Sequence, residues 1–234
     1  MWRLKLTRIF KNVTIVAIYY ALIIFSQPAF SQGKTKFGVI AEPAVCWFSS
    51  DNSSVSNEGT RPGFTFGLAV NRYFATNYSF STGIMIQGAG GRLTSTETTI
   101  LDFNDSSESV PPGEPMVYKL QYLAIPLGIK LQTNQIGYVT IFTDLGIDAK
   151  VLIGSKFDIP SVGVDGENAG NEINPYNAAY HISAGIEYSL GGSTSLLLGL
   201  KYENNFLDVT KDNGTQPDDK IIHKIIGFRL GLNF

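Results

Sequence analysis

Tyr122-Leu123-Ala124-Ile125-Pro126-Leu127-Gly128-Ile129-Lys130-Leu131 is the stretch on which the reading of this chain turns. Leu123, Ile125, Leu127, Ile129 and Leu131 fall on every second residue, with Tyr122, Ala124, Gly128 and Lys130 between them. A period of two puts the first set on one face of a β-strand and the second set on the other. The same alternation continues in both directions along the chain. Upstream, Phe64, Phe66, Leu68 and Val70 interleave with Thr65, Gly67, Ala69 and Asn71, and Tyr78, Phe80, Ile84 and Ile86 oppose Ser79, Ser81, Gly83 and Gln87. Downstream, segments around 139–151, 176–188, 196–206 and 222–234 repeat the pattern. With a first strand around residues 36–48, eight strands are expected, and no segment after residue 31 carries a helical stripe.

The connections alternate as well. Short ones fall at Ala75-Thr76-Asn77, Thr133-Asn134-Gln135 and Gly191-Gly192-Ser193, and long polar ones cover roughly 49–61, 92–116, 153–175 and 208–220. Tight turns at one rim and long loops at the other describe an eight-stranded antiparallel up-and-down transmembrane β-barrel of the outer-membrane kind. A soluble lipocalin-like barrel has the same strand count, but its outer face must be crowded with Lys and Glu. Here the polar face is small and mixed, while the apolar face is large, as contact with lipid requires. Aromatic residues with outward parity stand at the strand ends: Phe37, Phe74, Tyr78, Tyr188 and Phe234 at one rim, Trp47, Phe64, Tyr176 and Phe206 at the other. Rings of this kind sit at headgroup level.

Composition agrees with this assignment. Charged residues make up 16% of the 234 residues, well below the roughly 25% of soluble domains. The first residues read as an export signal, with Arg3, Lys5, Arg8 and Lys11 ahead of an apolar run from Val13 to Phe25. Ala29-Phe30-Ser31 offers a cleavage point, so 1–31 is expected to be removed and 32–234 to form the barrel. The 203 residues that follow carry a formal charge of −6, which argues against nucleic acid as a partner. The four long loops hold fifteen acids and five bases, so the acidic surface belongs to the long-loop rim, expected to be extracellular, with both termini periplasmic. The single Cys46 cannot form an internal disulfide.

Tyr122-Leu123-Ala124-Ile125-Pro126-Leu127-Gly128-Ile129-Lys130 resembles the central signature of the Bacteroidetes outer-membrane β-barrel family that includes PorT-like proteins. The last segment, Gly227 to Phe234, is similar to the terminal signal read by the barrel-assembly machinery, with Phe228, Leu230, Leu232 and Phe234 on one face. The resemblance implies outer-membrane lipid and that machinery as partners, and a structural or interaction role in the envelope or in protein secretion. Pro126 removes a ladder donor and is expected to mark a bulge or bend.

Charges with inward parity must be paired or wetted. Arg229 and Glu42 lie at similar distances from the short-turn rim, and with Lys201 they are expected to form a charge lock that fills the lumen instead of leaving a pore. An eight-stranded interior is only wide enough for side chains. His181 and Ser183 share a face, as a base and a hydroxyl do in lipid esterases, but their inward parity points them away from lipid, and no catalytic residue is assigned. Asp208, Asp212, Asn213, Asp218 and Asp219, and Asp165, Glu167 and Asn168, are acidic runs without calcium-loop spacing. No metal or cofactor is expected. A soluble lipocalin-like binder and a lipid-modifying enzyme are the competing readings.

Overall fold

The alternating segments pair edge to edge until they meet. A computed structural model describes residues 34–102, 107–160, 163–211 and 220–234. The expected export signal, and Asp212, Asn213, Asp218 and Asp219 of the last acidic run, lie outside the described residues. The strands are β1 (Thr35–Ser50), β2 (Val55–Gly59), β3 (Arg61–Ala75), β4 (Tyr78–Ser95), β5 (Thr99–Asp102), β6 (Ser107–Val110), β7 (Pro115–Gln132), β8 (Val139–Ile159), β9 (Val164–Asn168), β10 (Tyr176–Gly191), β11 (Thr194–Asn205) and β12 (Ile221–Asn233). Eight of them form a closed antiparallel ring in the order β1, β3, β4, β7, β8, β10, β11, β12. β12 returns to β1 from Gly38 opposite Asn233 up to Ser50 opposite Ile221, which closes the ring and leaves it no open edge. β2 adds to β4, β9 adds to β8, and β5 and β6 form a separate hairpin, all on the long-loop side.

The turns have sequence causes. Between β10 and β11 the chain reverses at Gly191 and Gly192, both with positive φ (107° and 60°), a conformation glycine adopts without a side-chain clash. At the same rim Phe37 and Phe234 exchange backbone hydrogen bonds of 3.3 and 2.7 Å.

Through most of the wall the alternation sorts side chains as lipid contact demands. Leu68, Ile84, Leu127, Ile147, Ile182, Leu200 and Phe228 are exposed on the outside, Leu127 at 57%. Ser81, Lys130, Asp144, His181, Lys201 and Arg229 between them are buried inside. Toward the long-loop rim the sorting inverts. On β7, Met116, Tyr118, Leu120 and Tyr122 are buried inward, while Lys119 and Gln121 face out. On β8, Phe157 and Ile159 are buried inward, and Lys156 is exposed. These residues join Cys46, Phe48, Leu93, Ile173, Val209, Ile221 and Ile225 in one apolar core. The lower interior holds a smaller apolar patch of Ile40, Met85, Ala124, Phe142 and Leu197.

Two expectations need correction. The segments 92–116 and 153–175 are not simply loops, because β4, β7 and β8 run on to 18, 18 and 21 residues, against about 9–11 needed to cross a membrane. Pro126 makes no bulge. Pairing between β4 and β7 lapses opposite Ile125 and Pro126 and resumes in the same register, with Thr82 opposite Leu127 and Met85 opposite Ala124. The register shift between β7 and β8 falls at Gln121 and Tyr122, with the extra residue, Ile153, on β8; on β7 the same point is where the inward and outward faces exchange polarity.

Candidate functional site: the charged lumen

Inward parity on six strands brings ionised side chains of both signs to one interior. Arg229 of β12 donates from Nε to Glu42 Oε2 of β1 at 2.9 Å, and from Nη1 to Ser183 Oγ at 3.3 Å. Its Nη1 also lies 3.7 Å from Asp144 Oδ2, and Asp144 accepts a 2.8 Å bond from Ser81 Oγ. His181 stands between two aspartates, with Nδ1 2.9 Å from Asp148 and Nε2 3.8 Å from Asp144. Lys201 Nζ contacts Asp148 at 2.9 Å and Glu203 at 3.0 Å. Glu203 also receives Lys150 and, at 3.0 Å, Gln87 Nε2, and Lys150 donates to Asn205 at 3.0 Å. From Glu42 to Lys150 carboxylates and cations interleave around the lumen, with His181 set between Asp144 and Asp148. A second cluster near the short-turn rim joins Lys130 to Glu187, with Lys36 at 3.7 Å and Asn233 at 3.1 Å.

The small residues of the lumen make room for these groups. A Cβ on Gly128 would stand 2.7 Å from both Asp144 Oδ1 and Ser81 Oγ, and one on Gly146 would stand 2.8 Å from the His181 ring. Real Cβ atoms do not approach so closely, so alanine at either place would push the network apart. Beside Asp144, His181 and Arg229 a void of about 30 Å³ remains, room for one or two waters.

Of the three residues expected to form the lock, Arg229 and Glu42 are brought together, and Lys201 turns to Asp148 and Glu203. The arrangement is therefore wider than a triad. His181, Asp148, Lys150 and Glu203 stand on the polar parity of their strands, a signal the sequence carries; Gln87, Asn205 and Ser81 have no charge to mark them. Among the described residues His181 and Ser183 are engaged with other groups: the imidazole stands between Asp148 and Asp144, and Ser183 Oγ accepts from Arg229. Phe228, Leu230, Leu232 and Phe234 line the outer face of β12 down to the short-turn rim. Asp208 uses Oδ1 to accept the N–H groups of Thr210 and Ile221, both at 3.1 Å, which ties the last loop to β12. Among the described residues no group of His, Cys, Asp or Glu has the geometry to hold a metal ion.

Solved structures of similar topology include Neisserial surface protein A, which is 13% identical over 84% of this chain and 95% of that one, with a TM-score of 0.47. OprG from Pseudomonas aeruginosa is 12% identical over 88% and 98%, with a TM-score of 0.42. A major outer membrane protein from Thermus thermophilus is 12% identical over 86% and 99%, with a TM-score of 0.45. No curated protein matches the chain. The family model described as the outer membrane protein beta-barrel domain matches residues 26–211. With a closed ring of eight strands, apolar outside and charged within, this chain belongs to that outer-membrane β-barrel family.

Proposed function

We propose that the protein is a non-conducting, non-enzymatic barrel of the bacterial outer membrane that works by presenting its long-loop rim to an envelope or secretion partner, as a PorT-like role implies. In this reading residues 1–31 are removed on export, the long-loop rim is extracellular, and β12 ends at the periplasmic rim. The barrel-assembly machinery would read Phe228, Leu230, Leu232 and Phe234 during insertion. The observation that carries the reading is the filled lumen. Glu42, Arg229, Lys201 and their partners occupy the interior at membrane height, and the apolar core around Phe48, Tyr118 and Phe157 occupies it beyond. Work is then left to the rim and the outer wall. The buried pairing of His181 and Ser183 with other groups supports the absence of esterase chemistry.

Two measurements test this proposal. In planar bilayers the purified protein is expected to give no conductance steps, and Arg229→Ala is expected to lower the unfolding temperature. Conductance opened by Arg229→Ala at unchanged stability would refute the lock. Crosslinking in intact outer membranes, from photoreactive residues at Asn57 and Glu167 on the long-loop rim, is expected to capture a defined envelope protein. Loss of an acyl chain from lipid A in cells expressing the protein, abolished by His181→Ala, would replace the proposal with an enzymatic one.

A further inference from the structure

The outer wall has one region that neither the apolar band nor the lumen explains. Where β3, β4, β7 and β8 leave the band, a groove of about 610 Å³ opens on the outside of the barrel, within the usual size range of a ligand site. Its floor is concave because Gly88 and Gly154 carry no side chain there; a Cβ at either place would meet nothing closer than 3.5 Å. Its walls carry Arg61, Lys119 and Lys156, with Gln121 and Asn168 as uncharged donors. On the membrane side it is bordered by Phe64, exposed at the edge of the band.

The placement of the cations is the informative part. Lys119 and Lys156 are direct partners in the register of β7 and β8, and like charges directly opposite one another destabilise a sheet. Asp158 takes up Lys119, and Asp165 stands 3.9 Å from it. Among the described residues no carboxylate lies within ion-pairing distance of Lys156 or Arg61; Arg61 spends one N–H on the Tyr118 carbonyl at 3.3 Å. Three cations thus converge on a concave patch immediately beyond the lipid band, and two have no anionic partner among the described residues. A membrane supplies phosphate at that height, and acyl chains to lie against Phe64 and Ile153 below it. Arginine and lysine are the side chains suited to phosphate oxygens.

We propose that this groove binds a phosphorylated lipid headgroup from the surrounding membrane, with Arg61 and Lys156 as the principal phosphate ligands and Lys119 shared between the lipid and Asp158. The inference concerns the outer wall and stands apart from whatever the lumen or the loops do.

The test is native mass spectrometry of the detergent-solubilised barrel titrated with bis-phosphorylated lipid A and, in parallel, with its dephosphorylated form. The wild type is expected to retain one phosphorylated lipid, and the Arg61→Ala/Lys156→Ala double variant is expected to bind it at least tenfold more weakly. Gly154→Phe keeps all three cations and fills the groove. A Cβ there would come no closer than 3.5 Å to Gln121, so the strand is undisturbed while lipid retention is expected to fall equally. Asp158→Asn releases Lys119 and is expected to tighten binding. Lys211→Ala/Lys220→Ala removes two cations outside the groove and is expected to change nothing. Three results would overturn the proposal: equal retention of the dephosphorylated lipid, an equal loss in the Lys211/Lys220 control, or displacement of the lipid by inorganic phosphate at equimolar concentration.

Discussion

The half of the barrel within the lipid band and the half that emerges from it are built from the same strands by opposite rules. In the band, β7 turns Ile125, Leu127 and Ile129 outward and Lys130 inward; beyond Gln121 it turns Lys119 outward and Tyr118 and Leu120 inward. In the backbone the halves differ at the crossing point, where the pairing of β7 with β8 shifts register, and beyond it, where β2 and β9 add to β4 and β8. The solvent outside has changed. Where lipid surrounds the wall, apolar residues face out and charges must find each other inside; where water surrounds it, apolar burial drives the interior as in any soluble domain. The lower half is therefore held by a charge network and the upper half by an apolar core.

This difference can be broken at either end. The largest effect is expected from Glu203→Ala, because Glu203 is 1% exposed and neutralises both Lys150 and Lys201. Removing one partner of a buried ion pair costs about 3–5 kcal/mol, read as a lower urea midpoint for the protein refolded in lipid vesicles. Phe157→Ala should cost about 3 kcal/mol by opening a cavity, with amide protection lost at Tyr118 and Ile159 but kept at Lys130. An arginine placed outward separates the halves directly. At Leu127 it should cost about 2–4 kcal/mol, and at Gln121, near the interface, about 0–1 kcal/mol. The smallest effect concerns pH at the emergent edge. Burial works against ionisation of Asp158, but hydrogen bonds from Lys119 and from the Gly166 N–H outweigh it and hold the carboxyl below its usual range. A carboxylate depressed in the folded state stabilises fully above the unfolded value of about 3.9 and loses that contribution as pH falls through the folded value. Gly166 should thus keep its amide protection at pH 6, once corrected for intrinsic exchange, and lose part of it below about pH 4; Asp158→Asn should abolish the difference.

The lower half was legible in the sequence because its alternation has large apolar residues on one side and isolated charges on the other. Parity alone put Glu42, Asp144, Lys201 and Arg229 on a common interior. It could not choose partners, since Lys201 has several carboxylates within reach and the choice of Asp148 and Glu203 depends on strand tilt and stagger. The upper half was hidden by the same signal. Met116, Tyr118, Leu120 and Tyr122 alternate as cleanly as any band residues, but with exchanged parity, next to long polar segments that read as loops. A strand that changes solvent along its length violates the rule of one apolar face. The exchange point itself, Gln121 to Leu123, is the trace it leaves in the sequence.

The position of the membrane boundary on β7 is the claim from which the others follow, and depth-dependent quenching measures it most directly. On a Cys46→Ala background, a bimane label on Leu127→Cys and one on Gln121→Cys would lie on the same outward face. The account predicts that brominated lipid quenches the label at 127 and iodide in water does not, with the reverse at 121. Lipid quenching at both positions, or iodide quenching at both, would contradict it.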